Sequence, residues 1–280
     1  MITLPHNNIQ GGGRVPMSLY EIIRALNLEA NLSYCYDAGD VRSYAGGTQR
    51  WKDLSGNGND LYLGNSDVVG YVDYDPTFQG TVDARSANEY FLGASTGSHF
   101  LQVGTPTFDN DLHKAGALFS FVAVVGGQSA NWTLAGNATS VSIPGISLRI
   151  AGTRRLQLIH TTTNVPANQT VNGVNQVPSG NPAVMTAMFS YNDAGLATIM
   201  KADNAAFESI ASTASTCTLA ATHEWGIGND GSLAGAPSGS DFSNPARYYA
   251  AAGWTGVALS GATMDLLRAA LKDNRWPALT

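Results

Sequence analysis

Trp51-Lys52-Asp53-Leu54-Ser55-Gly56-Asn57-Gly58-Asn59-Asp60-Leu61-Tyr62-Leu63 joins an apolar Trp, a tight polar turn and an alternating apolar run. Gly56 and Gly58 lack a Cβ, and Asn57 and Asn59 tolerate the left-handed region, so the turn forms at little steric cost. Leu61 and Leu63 then alternate with Tyr62 and Gly64, the period of a strand with one buried face. The segment predicts a tight polar turn between a buried Trp51 and a strand.

The rest of the chain keeps that rhythm. Of its 280 residues only 13% are charged and 31 are glycine, which suits many short strands joined by tight turns. The length fits one large β-domain or two small ones, and because all-β sandwiches often exceed about 200 residues as one domain it does not force a split. Strands are predicted over Leu32 to Tyr36, Ala117 to Val125, Trp132 to Ala135, Ser147 to Ala151, Leu156 to Thr161, Ala183 to Ser190, Ala197 to Ala202, Glu224 to Ile227 and within Tyr248 to Leu259. Ala117 to Val125 is apolar on both faces and reads as a central strand.

Both ends change period. Residues 1–16 read as a Gly-rich arm, and Ser18 with Glu21 three residues on forms a capping-box pattern. Leu19, Ile22, Ile23 and Leu26 fall on one face of the short helix that follows. Such a helix is marginal alone in water, so its apolar side docks on its own sandwich or on another subunit. Ser260 caps a second helix over Gly261 to Asn274, with Met264, Leu267, Ala270 and Leu271 on one face and Pro277 barring its continuation. The expected division is an arm with an anchor helix over 1–33 and a sandwich with a C-terminal helix over 34–280.

The quoted stretch resembles the "W-x-D-x-S-G-N-G-N-x" segment of laminin G-like members of the concanavalin A-like lectin/glucanase superfamily. Ala183 to Tyr191 is similar to the strand that leads into a short hairpin in that family. Glu224 to Asn229 resembles its "x-x-G-x-G-x" segment, and Gly253 to Leu271 its closing strand, L-S-x-A junction and helix. These motifs span most of residues 34–276 in the family's order. The resemblance implies an all-β, concanavalin A-like jelly-roll β-sandwich that binds surfaces or glycans. Pro16 to Leu26 resembles "S-L-x-x-I-R-x-L" elements in tailed-phage fibre and tail proteins. That likeness implies a virion protein whose arm contacts other virion proteins through Leu19, Ile22, Ile23 and Leu26.

Several chemistries lack their residues. Glucanases of the superfamily carry an E-x-D-x-E or E-x-D-x-x-E strand whose carboxylates flank the sugar bond. The five glutamates, Glu21, Glu29, Glu89, Glu208 and Glu224, never fall in that spacing. Asp73-Tyr74-Asp75 is followed by Pro76 and reads as a turn. Gly93-Ala94-Ser95-Thr96-Gly97 matches G-x-S-x-G, but the residues after it do not read as the helix a nucleophile elbow needs. Asp53 to Gly58 imitates the start of a Ca²⁺ loop, yet position twelve is Gly64 rather than Glu, so an EF-hand is excluded and only an irregular Ca²⁺ site stays open. His6, His99, His113, His160 and His223 lack metal-ligand spacing, and no nucleotide-binding glycine loop occurs. No cofactor is expected.

Net charge is -6, and the densest basic spot is Arg149, Arg154 and Arg155. These read as strand-end or solvent-facing cations, too few for nucleic acid. Cys35 and Cys217 sit in apolar strands, with pairing between them left open. Met1 to Arg14 lacks the basic and apolar regions of a signal peptide, and no apolar run reaches a bilayer's span. Cytosolic synthesis without membrane insertion is therefore expected, and the N-x-S/T sequons at Asn31, Asn131, Asn137 and Asn168 read as chance matches.

The functional expectation is a non-enzymatic structural protein of a tailed-phage virion, such as a decoration, fibre or tail-tip component. The low charged fraction suits a homo-oligomer. Host surface glycan is the expected ligand of the sandwich, with Trp132, His160 and Tyr191 as candidate contacts beside Tyr248 and Tyr249. The alternatives are a bacterial extracellular adhesin module and a glycan hydrolase or lyase.

Overall fold

The structure is a computed structural model that describes residues 16–64, 75–82, 86–93, 99–102, 108–127, 132–138, 143–164, 168–178, 184–202, 205–221, 223–228 and 246–279. In chain order its elements begin with α1 (Leu19–Ala25), β1 (Leu32–Asp37), β2 (Arg50–Trp51), β3 (Leu61–Leu63), β4 (Thr77–Gln79), β5 (Tyr90–Leu92) and β6 (Phe100–Gln102). There follow β7 (Leu118–Gly126), β8 (Trp132–Gly136), β9 (Ile146–Ile150), β10 (Arg155–Thr161), β11 (Asn168–Gln176) and β12 (Met185–Asn192). The chain closes with β13 (Ala197–Ala202), β14 (Glu208–Ala211), β15 (Gly226–Ile227), β16 (Arg247–Thr255) and α2 (Gly261–Asn274).

The strands form two antiparallel sheets. The first runs β14-β13-β12-β7-β16-β5-β4, with β1 also pairing β16; the second runs β11-β10-β9-β8-β15-β6-β3-β2. Side chains alternate across each strand, and the inward sets of both sheets meet in one core. Phe119, Phe121, Ala123 and Val125 of β7 face Leu148, Leu156, Leu158 and Trp132 from the second sheet. Trp51 is fully buried and packs on Phe100 and Phe91 at ring-centroid distances of 4.7 and 5.0 Å. The fold is an all-β sandwich.

The outward set of the first sheet builds a second apolar cluster. Cys35, Val122, Val124, Met188, Ala250, Ala252 and Trp254 are covered there by Leu19, Ile22 and Ile23 of α1 and by Met264, Leu267 and Leu271 of α2. The capping box of α1 forms: the Glu21 N–H donates to Ser18 Oγ at 3.2 Å and the Ser18 N–H to Glu21 Oε2 at 2.9 Å. Of the two docking partners expected for α1, its own sandwich is the one observed: Leu19, Ile22 and Ile23 are fully buried against it and Leu26 packs on the same cluster, so these side chains are not free to anchor the arm to a virion partner. The arm over 1–15 lies outside the described residues. Among the described residues no helix is long and apolar enough to cross a membrane.

The turn from Asp53 to Asn59 is a hydrogen-bonded corner. Asp53 Oδ1 accepts the N–H groups of Cys35 and Ser55 at 2.9 and 2.8 Å, and Oδ2 accepts the Ser55 hydroxyl and the Asn59 N–H at 2.7 and 3.2 Å. Gly56 and Gly58 take φ of 89° and 75°, as the turn requires. Asn59 Nδ2 donates to Ser33 O at 2.7 Å, which fastens the corner to β1. Cys35 and Cys217 are both free and buried.

Candidate functional site

Helices cover the outside of the first sheet, so the outside of the second is the sheet face to search for a ligand surface. Alternation assigns it. Leu148, Leu156, Leu158 and Val171 enter the core, so Arg149, Arg155, Gln157, Ile159, Thr170 and Asn172 point away from it. Register aligns them into rows. Thr133 lies opposite Arg149, Arg149 opposite Gln157, and Gln157 opposite Asn172. Ser147, Ile159 and Thr170 form the parallel row.

The rows are accessible on one side. Thr170 and Asn172 are exposed and Arg149, Arg155, Gln157 and Ile159 half-buried, while Thr133, Ser147 and Leu101 towards the middle of the sheet are buried. Gln157 Nε2 donates to Asn172 Oδ1 at 2.7 Å, and Arg149 Nη2 to Ser147 Oγ at 3.4 Å. At the β9–β10 turn, Arg154 sits at φ 62° and donates to Gln176 Oε1 at 2.8 Å. The flank therefore offers amides, hydroxyls and guanidinium groups on a rigid sheet. These donors and acceptors suit hydroxyl-rich ligands.

The glycan contacts expected from the sequence lie elsewhere. Trp132 is buried and its Nε1 donates to the Tyr248 hydroxyl at 2.6 Å. His160 shares the inward parity of Leu156 and Leu158 and is fully buried, as is Tyr191, which stacks on Phe119. All three are core residues, and none presents a face to a sugar. Tyr248 and Tyr249 are buried too. The signal for the polar flank was in the sequence: Leu148, Leu156 and Leu158 fix the parity that turns Arg149 and Gln157 outward and His160 inward.

Inside the sandwich, the Tyr191 hydroxyl donates to Asp193 Oδ1 at 2.6 Å, and His160 contacts Gln169 Oε1 through Nε2 at 3.2 Å. Burial lowers the His160 and His113 pKa values. Asp193 Oδ1 also accepts the Ser215 N–H at 2.7 Å, and the fully buried His113 Nε2 lies 3.0 Å from Leu219 O, so this group pins the 212–219 segment to the sheets. Burial pushes Asp109 up to about 6 and raises Glu224 as well. Asp109 is only 1% exposed, so it offers no carboxylate to a substrate. Among the described residues no three His, Cys, Asp or Glu gather as metal ligands. Asp53, in the loop where the sequence left an irregular Ca²⁺ site open, receives four protein donors. Asp73 of the acidic turn and Ala94 to Gly97 of the G-x-S-x-G match lie outside the described residues.

No protein-family model and no curated protein matches the chain. Solved structures do share its fold. The binding domain of botulinum neurotoxin serotype D superposes with a TM-score of 0.56 at 10% identity, covering 86% of this chain and 51% of that one. Botulinum neurotoxin type C, whose cell entry depends on interaction with two ganglioside molecules, gives 0.57 at 10% identity, with 88% and 52% covered. An arabinofuranosidase complexed with arabinofuranosyl-alpha-1,2-xylobiose gives 0.53 at 14% identity, with 94% and 65% covered. The chain thus spans about half the length of the toxin chains it resembles. At these identities the likeness establishes the sandwich architecture.

Proposed function

We propose that this protein is a carbohydrate-binding β-sandwich of the concanavalin A-like jelly-roll kind that binds without catalysing a reaction. The observation that carries the reading is the row Arg149–Gln157–Asn172, a line of accessible polar side chains across three strands on the sheet face the helices leave uncovered. Rigid strands hold these groups in fixed register, which lowers the ordering cost of binding. The shared architecture with glycan-engaging proteins adds support at the level of fold alone. A tailed-phage virion is the proposed setting, on the sequence resemblance of the ordered motifs. Contacts with other virion proteins and with further copies of this chain then fall outside the α1 apolar face. No cofactor is assigned to binding.

The test is affinity electrophoresis and calorimetry against a panel of neutral and acidic polysaccharides. Gln157→Ala combined with Asn172→Ala is expected to weaken binding at least about tenfold, the loss of one or two hydrogen bonds. Unchanged affinity in that double variant would move the site off this flank. Reducing-end release from the bound polysaccharide would show an enzyme and overturn the non-catalytic reading.

A further inference from the structure

We infer that the ligand of this flank is anionic, a polysaccharide bearing carboxylate or sulfate groups, held chiefly by Arg149 with Arg155 beside it. The inference rests on the carbohydrate-binding reading and names its ligand class. Strands β8, β9, β10 and β11 contain no aspartate or glutamate, whereas Arg149 and Arg155 point outward from them. The chain as a whole carries a net charge of -6, so this flank runs against the charge of the protein that bears it. Among the described residues Arg42 pairs with Asp40, Lys114 with Asp111, Lys201 with Asp265 and Arg275 with Asp37. Arg155 makes no ion pair among the described residues.

Gln157 faces Arg149, so Arg155, two residues earlier, is its diagonal neighbour, roughly 7–8 Å away. A guanidinium grips a carboxylate or sulfate through two parallel N–H donors, whereas an ammonium acts as a point charge. Ser147, Gln157 and Asn172 add the hydroxyl and amide groups that read neutral sugar positions around the charged one. Local charge complementarity with these guanidinium groups therefore selects an acidic glycan.

The experiment is calorimetry on the full chain with polygalacturonate, dextran sulfate, neutral dextran and xylan, and a single-stranded oligothymidylate, each at low and high salt. Polygalacturonate or dextran sulfate is expected to bind at least about tenfold tighter than the neutral polymers. That affinity should fall as salt rises, and the better of the two identifies carboxylate or sulfate as the group read. Arg149→Gln should raise the dissociation constant about tenfold or more, with Arg149→Lys between it and wild type, while melting temperatures show that the fold persists. Binding of neutral polymers that Gln157→Ala weakens and Arg149→Gln leaves intact would overturn the anionic ligand and keep the carbohydrate reading. Failure to bind any polysaccharide would overturn both. Oligothymidylate binding as tight as that of the polyanionic glycans would also overturn the inference.

Discussion

Asp37 and Arg275 form an ion pair 2.7 Å long in which both side chains are fully buried. Asp37 sits at the end of β1 and Arg275 caps α2, so the pair ties the first strand to the last helix. It also gathers the first helix: Asp37 Oδ2 accepts the Leu19 N–H at 2.8 Å, and Arg275 Nη1 donates to Met17 O at 3.1 Å. Gly39 must lack a side chain here, because a Cβ would lie 2.3 Å from Arg275 Nη2 and 2.2 Å from Ser86 O. Burial raises the Asp37 pKa and the Arg275 charge opposes it. Arg275→Met leaves a buried carboxylate without its partner, which costs on the order of 3–5 kcal/mol. Urea unfolding at pH 7 should show that loss, and Asp37→Asn in the same chain should restore much of it. Equal stability of the single and double variants would show that the pair is not coupled.

The same junction predicts what truncation does. Deleting residues 1–30 removes Leu19, Ile22 and Ile23, all fully buried against β1, β16 and α2. It also uncovers Met264, Leu267 and Leu271, and losses of this kind run to several kcal/mol for even one large aliphatic side chain. The truncated chain is expected to be insoluble or to bind a hydrophobic dye, with its thermal transition lowered or gone. A cooperative transition at the wild-type temperature would show that α1 is dispensable.

The helix over Gly261–Asn274 was readable in the sequence because Ser260, a 3.6-residue apolar stripe and Pro277 agree. Leu118–Gly126 was readable because an unbroken apolar run suits a central strand. β11 was missed: Asn168–Gln176 is built of Asn, Gln, Thr, Val and Gly, and an edge strand with one wet face needs little apolar content. The helix α1 was found but its partner was not, since a stripe such as Leu19, Ile22 and Ile23 records that a surface is covered and not what covers it. At the site, Arg149 and Arg155 were noticed but read as solvent-facing cations. Only pairing to β8 and β11 shows Arg149 in a row with Thr133, Gln157 and Asn172, with Arg155 diagonal to it.

Asp109 predicts a pH dependence. Its pKa is raised by burial from 3.8 to about 6, against the opposing hydrogen bond from Asn137. A carboxyl that prefers its neutral form in the fold contributes stability fully below pH 3.8, and that contribution is lost as pH rises through about 6. Asp109→Asn keeps the neutral form at every pH. It should stabilise the protein by about 1–3 kcal/mol at pH 7.5, and the gain should shrink towards zero near pH 4. His113 and His160 act in the opposite sense. Burial lowers them from 6.5, so their contribution is present above that value and is lost as pH falls. Stability of the Asp109→Asn variant should therefore decline below pH 6.5 more plainly than that of wild type. Urea unfolding at pH 4, 5, 6 and 7.5 checks both slopes, and a gain independent of pH would exclude Asp109 titration as its source.

Glu208 guards the edge next to the proposed ligand surface. It lies on β14, the edge strand of the first sheet, and its carboxylate accepts the consecutive N–H groups of Val174 and Asn175 on β11, the edge strand of the second. Those amides fall where the β10–β11 register shifts between Arg155 and Gln157, a bulge that would otherwise leave them free. Val174 beside them is 69% exposed, so bare amides here would offer a further chain a strand to pair with. Glu208→Ala is expected to cost about 1–3 kcal/mol in urea unfolding and to promote concentration-dependent self-association in light scattering. Because Asn172 precedes this bulge, the variant should also weaken polysaccharide binding at protein concentrations where it is still monomeric. Glu208→Gln, which keeps one acceptor oxygen, should fall between the two. A monomeric Glu208→Ala chain with wild-type stability would show that water alone satisfies this edge.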